Sequence, residues 1–338
     1  MEQNRGVLKE AGEPLATIHD LAVLDLDGVL YVGADAVPGA VEGVGAAADM
    51  GCRPAYVTNN ASRTPEDVAA HLTRLGFEAG PDDVVTSAQA AARLLADRLE
   101  PGAEVFVIGG HGLEVALVDR GLVPVTRAAD SVAAVAQGYG PDMPWRQVVA
   151  GSILVRDGLP WVASNTDSTI PTPQGRGPGN GALVELVARF AGRTPVVAGK
   201  PEAPLFEETR VRMRAESPIV IGDRLDTDIA GGVGLGWSTL LVLTGVTGLA
   251  ELVDAPPEQR PDHIGLDLAA LTQAHPVPEQ VGTAWHLGGW SAEVVHGRLA
   301  VTGGGGEADW WRVAASAAWH HLDSTERPAD IADIRVPG

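Results

Sequence analysis

Leu21-Ala22-Val23-Leu24-Asp25-Leu26-Asp27-Gly28-Val29 is the stretch on which the reading of the fold turns. Four apolar residues without alternation read as a parallel strand buried on both faces. Gly28 turns the chain, and two carboxylates stand at the strand's C-terminal end. Working outward, Val41 to Met50 is Ala-rich and helical and stops at Gly51, and Pro54 to Val57 is a second strand ending at Thr58-Asn59-Asn60. Thr64-Pro65-Glu66-Asp67 opens a helix with a Thr cap, proline at the first position and acids in the first turn; it runs to Gly76. The alternation of strand and helix is the mark of a doubly wound α/β sheet. It returns at Ile219-Val220-Ile221, which ends at Gly222-Asp223, and at Thr239 to Leu243.

Between these halves lies a block with its own rhythm: strands over Glu104 to Ile108, Val132 to Ala136 and Trp161 to Ala163, and a helix over Leu113 to Arg120. Ser168 to Gly181, rich in Pro and Gly, reads as a loop. The sequence therefore predicts a Rossmann-like α/β core with a doubly wound parallel sheet over residues 16–81 and 180–274, and a second α/β domain, 82–179, inserted into it. A small α+β appendage follows over 279–338, with a hairpin within 284–302, a joint over Gly303 to Gly306 and a helix over 307–322. Five of the eight Trp residues fall there. Residues 1–15 read as a flexible tail with no apolar run of signal-peptide length.

The chain has 338 residues, 45% hydrophobic and 20% charged, the balance of a packed globular protein. Its formal net charge of −20 repels nucleic acid and anionic lipid, so neither is expected as a partner. An anionic substrate then needs a local positive centre, a metal ion or a well-placed lysine. Cys52 is the one cysteine, which rules out an internal disulfide or a thiol cluster for zinc and suits a reducing cytoplasm.

Asp25 and Asp27 sit where open α/β sheets bind ligands, beyond the C-terminal ends of the strands. An aspartate nucleophile divides phosphate-ester hydrolysis into two easier steps, and a second carboxyl group can protonate the leaving oxygen and later activate water. Asp25 is assigned the first role and Asp27 the second. Both would serve equally as turn residues ending a strand. A calcium loop is excluded, because Val29 and Ala36 occupy its fifth and twelfth positions. Gly222-Asp223-Arg224-Leu225-Asp226-Thr227-Asp228 adds acids after another strand, in the manner of a solvated loop or of a hard-cation site. On the second reading Asp223 is a direct Mg²⁺ ligand and Asp228 its support. Thr58 with Asn59 and Asn60 can form an anion cradle or an ordinary turn. Lys200, after an apolar run and before Pro201, is the candidate cation for developing charge. Asn165 and Asp167 end a strand, facing a substrate or forming an Asx turn.

Taken in order, these segments resemble the haloacid dehalogenase superfamily of phosphatases. Asp25 and Asp27 match its first motif, Thr58 its second, Lys200 its third, and Gly222-Asp223 with Thr227-Asp228 its fourth. Val57 to Arg63, Val84 to Gln89 and Pro178 to Gly181 are similar to the subgroup with a large C2-type cap, which makes residues 82–179 the cap. The resemblance spans residues 20–274. It implies Mg²⁺, a ligating backbone carbonyl at Asp27, an aspartyl-phosphate intermediate and a small phosphorylated metabolite as partner. Within the subgroup, the layout is similar to bacterial glycerol-3-phosphate phosphatases with a partial acetyltransferase-like C-terminus; phosphoglycolate, pyridoxal phosphate and nucleotides are the alternative substrates. A phosphomutase and a non-catalytic binding protein are the rivals from other classes.

Three features are given plainer readings. Arg176-Gly177-Pro178-Gly179-Asn180-Gly181 fits an acetyl-CoA-binding pattern but lies outside the appendage. His320 and His321 are helical neighbours that face different directions. Trp310 and Trp311 are assigned to packing. The appendage itself is assigned to docking, stability or dimerisation, so a homodimer is an open expectation.

Overall fold

The structure, a computed structural model, describes residues 6–172 and 175–337. Met1 to Arg5, the beginning of the expected tail, lie outside the described residues. The chain divides into two compact units, residues 1–54 with 215–338, and residues 55–214.

In the first unit the strands His263–Gly265, Ser238–Val242, Pro218–Gly222 and Leu21–Leu24 lie side by side in that order, all parallel. Leu21–Leu24 and Pro218–Gly222 are buried at every position, as an unalternating apolar run requires when both faces are covered. Leu24 is registered with Ile221, so both chains leave the sheet at the same edge with their acids next in line. Part of the expected tail is tied down: Lys9 donates to the Asp262 carbonyl at 2.8 Å, and Ala11 exchanges backbone hydrogen bonds with His275.

Toward the C-terminus, Glu279–Val281, Ala284–Leu287, Trp290–Val295 and Arg298–Gly303 form an antiparallel four-stranded meander, of which the expected hairpin is one part. The last helix, Glu307–Thr325, runs three residues past its predicted end. Trp310, Trp311 and Trp319 are buried in one apolar cluster with Leu241, Leu252 and Ile264 of the parallel-sheet region. Trp319 Nε1 donates to the Leu252 carbonyl at 2.7 Å, and the buried Arg260 guanidinium holds Asp323 through two bonds of 2.6 and 2.8 Å. Trp310 and Trp311 are thus packing residues.

In the second unit, the strand Arg53–Thr58, which enters from the first, pairs in parallel with Val84–Thr86. A separate parallel sheet runs in the order Val196–Val197, Trp161–Ala163, Val132–Gln137, Glu104–Ile108, Val123–Val125. Helix Pro65–Arg74 begins with the predicted cap: Thr64 Oγ1 accepts from Asp67 N, and Asp67 accepts from Thr64 N in return. The α/β class with a parallel-sheet core is borne out.

Residues 168–181 are a correction to the predicted loop. Thr169–Thr172 and Gly175–Pro178 pair as a two-stranded antiparallel ribbon, and helix Asn180–Ala191 follows. A two-stranded ribbon is all edge, so prolines that a central strand would reject are tolerated there. The Arg176 to Gly181 pattern is split between that ribbon and the helix start. Its glycines are spent on backbone bonds from Gly179 N to the Ser168 carbonyl and from Gly181 N to the Asp167 carbonyl.

Glu208 is a buried anion in the second unit, held by Arg93, Arg120 and Arg212 at 2.9, 2.6 and 2.8 Å. Burial pushes its carboxyl up, but the Arg93 bond and the Arg120 and Arg212 charges outweigh it and leave it below the usual range. Among the described residues, no helix is long and apolar enough to cross a membrane.

Candidate active site

The first unit gathers the acids. The register of Leu21–Leu24 against Pro218–Gly222 places Asp25 beside the end of the second strand, and Asp25 N donates to the Ile221 carbonyl at 2.9 Å. Asp228 arrives by a different route. Leu225–Ile229 is a single turn of π-helix, with Asp228 N and Ile229 N both donating to the Arg224 carbonyl at 3.2 Å. Such turns recur at functional sites because they redirect one side chain. One carboxylate oxygen each from Asp25, Asp223 and Asp228 then lie within 4.8 Å of one another.

Asp223 is the fixed member. Its Oδ2 accepts from Val246 N at 2.6 Å, and its own carbonyl accepts from Thr247 N and Oγ1 at 3.1 and 2.6 Å. Thr244 Oγ1 donates to the Gly28 carbonyl at 2.6 Å, drawing the Thr244 to Gly248 segment against the Asp25 loop. A Cβ at Gly28 or Gly245 would overlap the Asp223 carboxylate, and Gly28 has a φ of +85°, so both positions need glycine.

Asp223 and Asp228 are fully buried and Asp25 half-buried, while Asp27 is exposed and outside the trio. Asp226 is exposed too and pairs with Arg224 at 2.7 Å. Three carboxylates this close, two of them out of water, repel unless a cation stands among them. All-oxygen donors suit a hard divalent ion, so the donor set fits Mg²⁺. The expectation that Asp228 only supports the site sits beside an arrangement in which it contributes to the trio as Asp25 and Asp223 do.

The second unit gathers the polar residues around Lys200. Thr58 ends its strand buried, and its hydroxyl oxygen accepts from Asn60 N at 3.0 Å. Asn60 turns back on Ser62, accepting from its N–H at 2.9 Å and its hydroxyl at 2.7 Å, so its side chain builds the turn. Asn59 Oδ1 accepts from Lys200 N at 2.8 Å; its Nδ2 donates to the Lys200 carbonyl at 3.1 Å and faces both Asp167 oxygens at 3.2 Å. Asn165 Oδ1 accepts from Asp167 N, an Asx turn, while its Nδ2 donates to the Asn59 carbonyl at 2.7 Å. Lys200 itself is 4% exposed.

Five contributors carry no site role in the sequence reading. Thr244, Gly245 and Thr247 stand in a Thr- and Gly-rich turn after a buried parallel strand, the same signal that drew attention to Asp25 and Asp223. Ser87 and Asn180 donate to the carbonyls of Asn59 and Asn165 at 2.5 and 2.7 Å, contacts across sequence distances that no local pattern reports.

Two family models match the chain: haloacid dehalogenase-like hydrolase over residues 22–123, and HAD-hydrolase-like over residues 197–271. The chain belongs to the haloacid dehalogenase-like hydrolase family. It is 39% identical to D-glycerol 3-phosphate phosphatase of Mycobacterium tuberculosis, over 94% of this chain and 91% of that one. It is 34% identical to acid sugar phosphatase of Staphylococcus haemolyticus, over 73% of this chain and 92% of that one. In structure it is similar to glycerol phosphate phosphatase from Mycobacterium tuberculosis in complex with magnesium. There the TM-score is 0.84 at 39% identity, covering 94% of each chain. The family expected from the four motifs is borne out.

Proposed function

We propose that this hydrolase is a Mg²⁺-dependent phosphatase acting on a small phosphate monoester, with glycerol 3-phosphate as substrate. The observation that carries the reading is the trio Asp25, Asp223 and Asp228, oxygen donors gathered beside a half-buried carboxylate that can still be reached. Similarity to the glycerol phosphate phosphatases over 94% of the chain, the C-terminal meander and helix included, supports the substrate.

Asp25 attacks phosphorus in line, the bond to the alkyl oxygen breaks, and Asp27 gives that oxygen its proton. The aspartyl phosphate is then hydrolysed by a water that Asp27 deprotonates, releasing phosphate and restoring Asp25. Asp25, Asp223, Asp228 and the Asp27 carbonyl would hold Mg²⁺, which supplies charge neutralisation for the phosphoryl oxygens. Thr58, the backbone around Asn59 and Asn60, and Lys200 are assigned to the phosphoryl oxygens; Asn165 and Asp167 are assigned to the substrate side. Phosphate release across glycerol 3-phosphate, phosphoglycolate, pyridoxal phosphate and nucleoside monophosphates is the test. Highest kcat/KM on glycerol 3-phosphate is expected; preference for another ester reassigns the substrate, and no release from any overturns the reading.

A homodimer belongs to the same proposal. Helices Trp145–Arg156 and Asn180–Ala191 line a groove of about 720 Å³ with Trp145, Val149, Ile153, Leu186 and Phe190 partly exposed. Its charged lining residues, Glu185 and Arg189, balance, so a chain of net charge −20 can meet its own copy there with Glu185 opposite Arg189. Sedimentation equilibrium should give a dimer that Leu186→Glu dissociates; a monomeric wild type rejects it. The cytoplasm is the proposed compartment, consistent with the single buried cysteine.

A further inference from the structure

We propose that the Asn59 side chain is a positioning residue for Lys200, acting on phosphate only through it. The proposal rests on the reading of Lys200 as the cation for the phosphoryl group. Lys200 lies between strand Val196–Val197 and helix Ala203–Met213, outside both, where no regular ladder fixes its backbone. One planar carboxamide takes that place. It accepts from Lys200 N at 2.8 Å and donates to the Lys200 carbonyl at 3.1 Å, gripping both polar backbone groups of the same residue.

A count of donors separates this from direct phosphate binding. The carboxamide has two N–H bonds. One goes to the Lys200 carbonyl and the other to the Asp167 carboxylate, with both of its oxygens at 3.2 Å. Neither is left for a phosphoryl oxygen. The contact with Asp167 also fixes the orientation of the group, since only the NH₂ end can face a carboxylate, and this turns Oδ1 to the Lys200 N–H. Asn59 is anchored in turn, its carbonyl accepting from Ser87 Oγ at 2.5 Å and Asn165 Nδ2 at 2.7 Å. The approach needs a neighbour without a side chain: a Cβ on Gly199 would stand 2.5 Å from Asn59 Oδ1.

The charge pattern says why the residue is an amide. Asn59→Asp keeps the shape but sets a carboxylate against both Asp167 and the Lys200 carbonyl. Its effect should therefore exceed that of Asn59→Ala, and in an Asp167→Asn background, measured against Asp167→Asn alone, the loss should shrink at least tenfold.

The test is a double-mutant cycle on glycerol 3-phosphate hydrolysis, with hydrogen exchange at the Lys200 amide of the substrate-free protein measured beside it. Asn59→Ala should lower kcat/KM by ~10²-fold, the scale of misplacing one catalytic group. In the Lys200→Ala background the same change should cost less than about threefold, because the group it positions is gone. Exchange at the Lys200 amide should quicken in Asn59→Ala, which removes its acceptor. Equal losses in the two backgrounds, or unchanged exchange, overturn the proposal. If Lys200→Ala alone keeps wild-type kcat/KM, the reading of Lys200 fails instead, and the amide exchange then decides whether Asn59 holds its backbone. Should Asn59→Ala not fold, the Asn59→Asp and Asp167→Asn pair carries the decision, and no recovery there overturns it.

Discussion

Gly245 stands so close to Asp223 that any Cβ there would occupy the space of the carboxylate. Asp223 Oδ2 accepts from Val246 N at 2.6 Å, so the acid can yield only by giving up that bond. Gly245→Ala must rotate the Asp223 carboxylate away from Asp25 and Asp228. The expected outcome is a ~10–100-fold higher Mg²⁺ concentration at half-maximal activity, the usual cost of disturbing what orients a ligand. A Mg²⁺ titration of activity checks it, and an unchanged midpoint would mean that Asp223 does not hold the ion.

Asp25 is tested by the smallest change that removes nucleophilic charge. Asp25→Asn should reduce phosphate release to background while leaving the melting temperature within a few degrees of wild type. Retained turnover would move the nucleophile elsewhere. Chelation by EDTA should stop the wild-type enzyme, and added Mg²⁺ should restore it, as expected when hard oxygen ligands hold an exchangeable ion.

What the sequence disclosed follows from the range of each interaction. Leu21–Leu24 and Pro218–Gly222 were legible because burial on both faces leaves an unbroken apolar run, and Asp25 and Asp223 because they end those runs. Asp228 was legible as a metal-site residue through the fourth motif, but the π-turn that brings its carboxylate to Asp25 and Asp223 has no local signature. Asn59 was read as a phosphate ligand on its neighbours Thr58 and Asn60. In the fold its carboxamide bonds Lys200 and Asp167, 141 and 108 residues away, which no local pattern reports. Residues 168–181 misled for a further reason: prolines and glycines mark breaks in central strands but not in an isolated ribbon.

Acid should destabilise the protein well before its carboxylates titrate. His263 and His275 are buried edge to face with ring centroids 4.9 Å apart, and the His275 ring bridges the Ala270 carbonyl and Arg312. Burial, then the charges of His275, His19, Lys9 and Arg312, pushes His263 down to about 3. Burial likewise brings His275 to about 4, the Ala270 bond opposing it and Arg312 adding to it. Both folded values lie below the ordinary 6.5, so the unfolded chain binds protons first as pH falls. Their stabilisation is complete above about pH 6.5 and declines below it, for His275 until about pH 4. The slope is on the order of 1 kcal/mol per pH unit for each histidine. Urea unfolding at pH 7 and pH 5 should show the fall, and His275→Asn should flatten it; an unchanged midpoint between the two pH values would show that the pair does not titrate on unfolding.

Removing residues 279–338 should unfold the first unit and not merely trim it. Trp310, Trp311 and Trp319 are 2%, 6% and 2% exposed and share one cluster with Leu241, Leu252 and Ile264. Each buried Trp withdraws about 150–250 Å² from water, worth about 4–6 kcal/mol at ~25 cal/mol per Å². Three together, on the order of 10 kcal/mol, are comparable with the whole stability of a typical domain, about 5–15 kcal/mol. Truncation would also leave the buried Arg260 guanidinium without Asp323 and the Leu252 carbonyl without Trp319. The shortened chain should therefore aggregate on expression and show no cooperative melt. Trp319→Phe in the full chain, which keeps one aromatic ring but loses the pyrrole half of the indole with its hydrogen bond, should cost about 2–4 kcal/mol. A soluble, active truncated protein with a wild-type melting temperature would show that the C-terminal helix is dispensable to the core it covers.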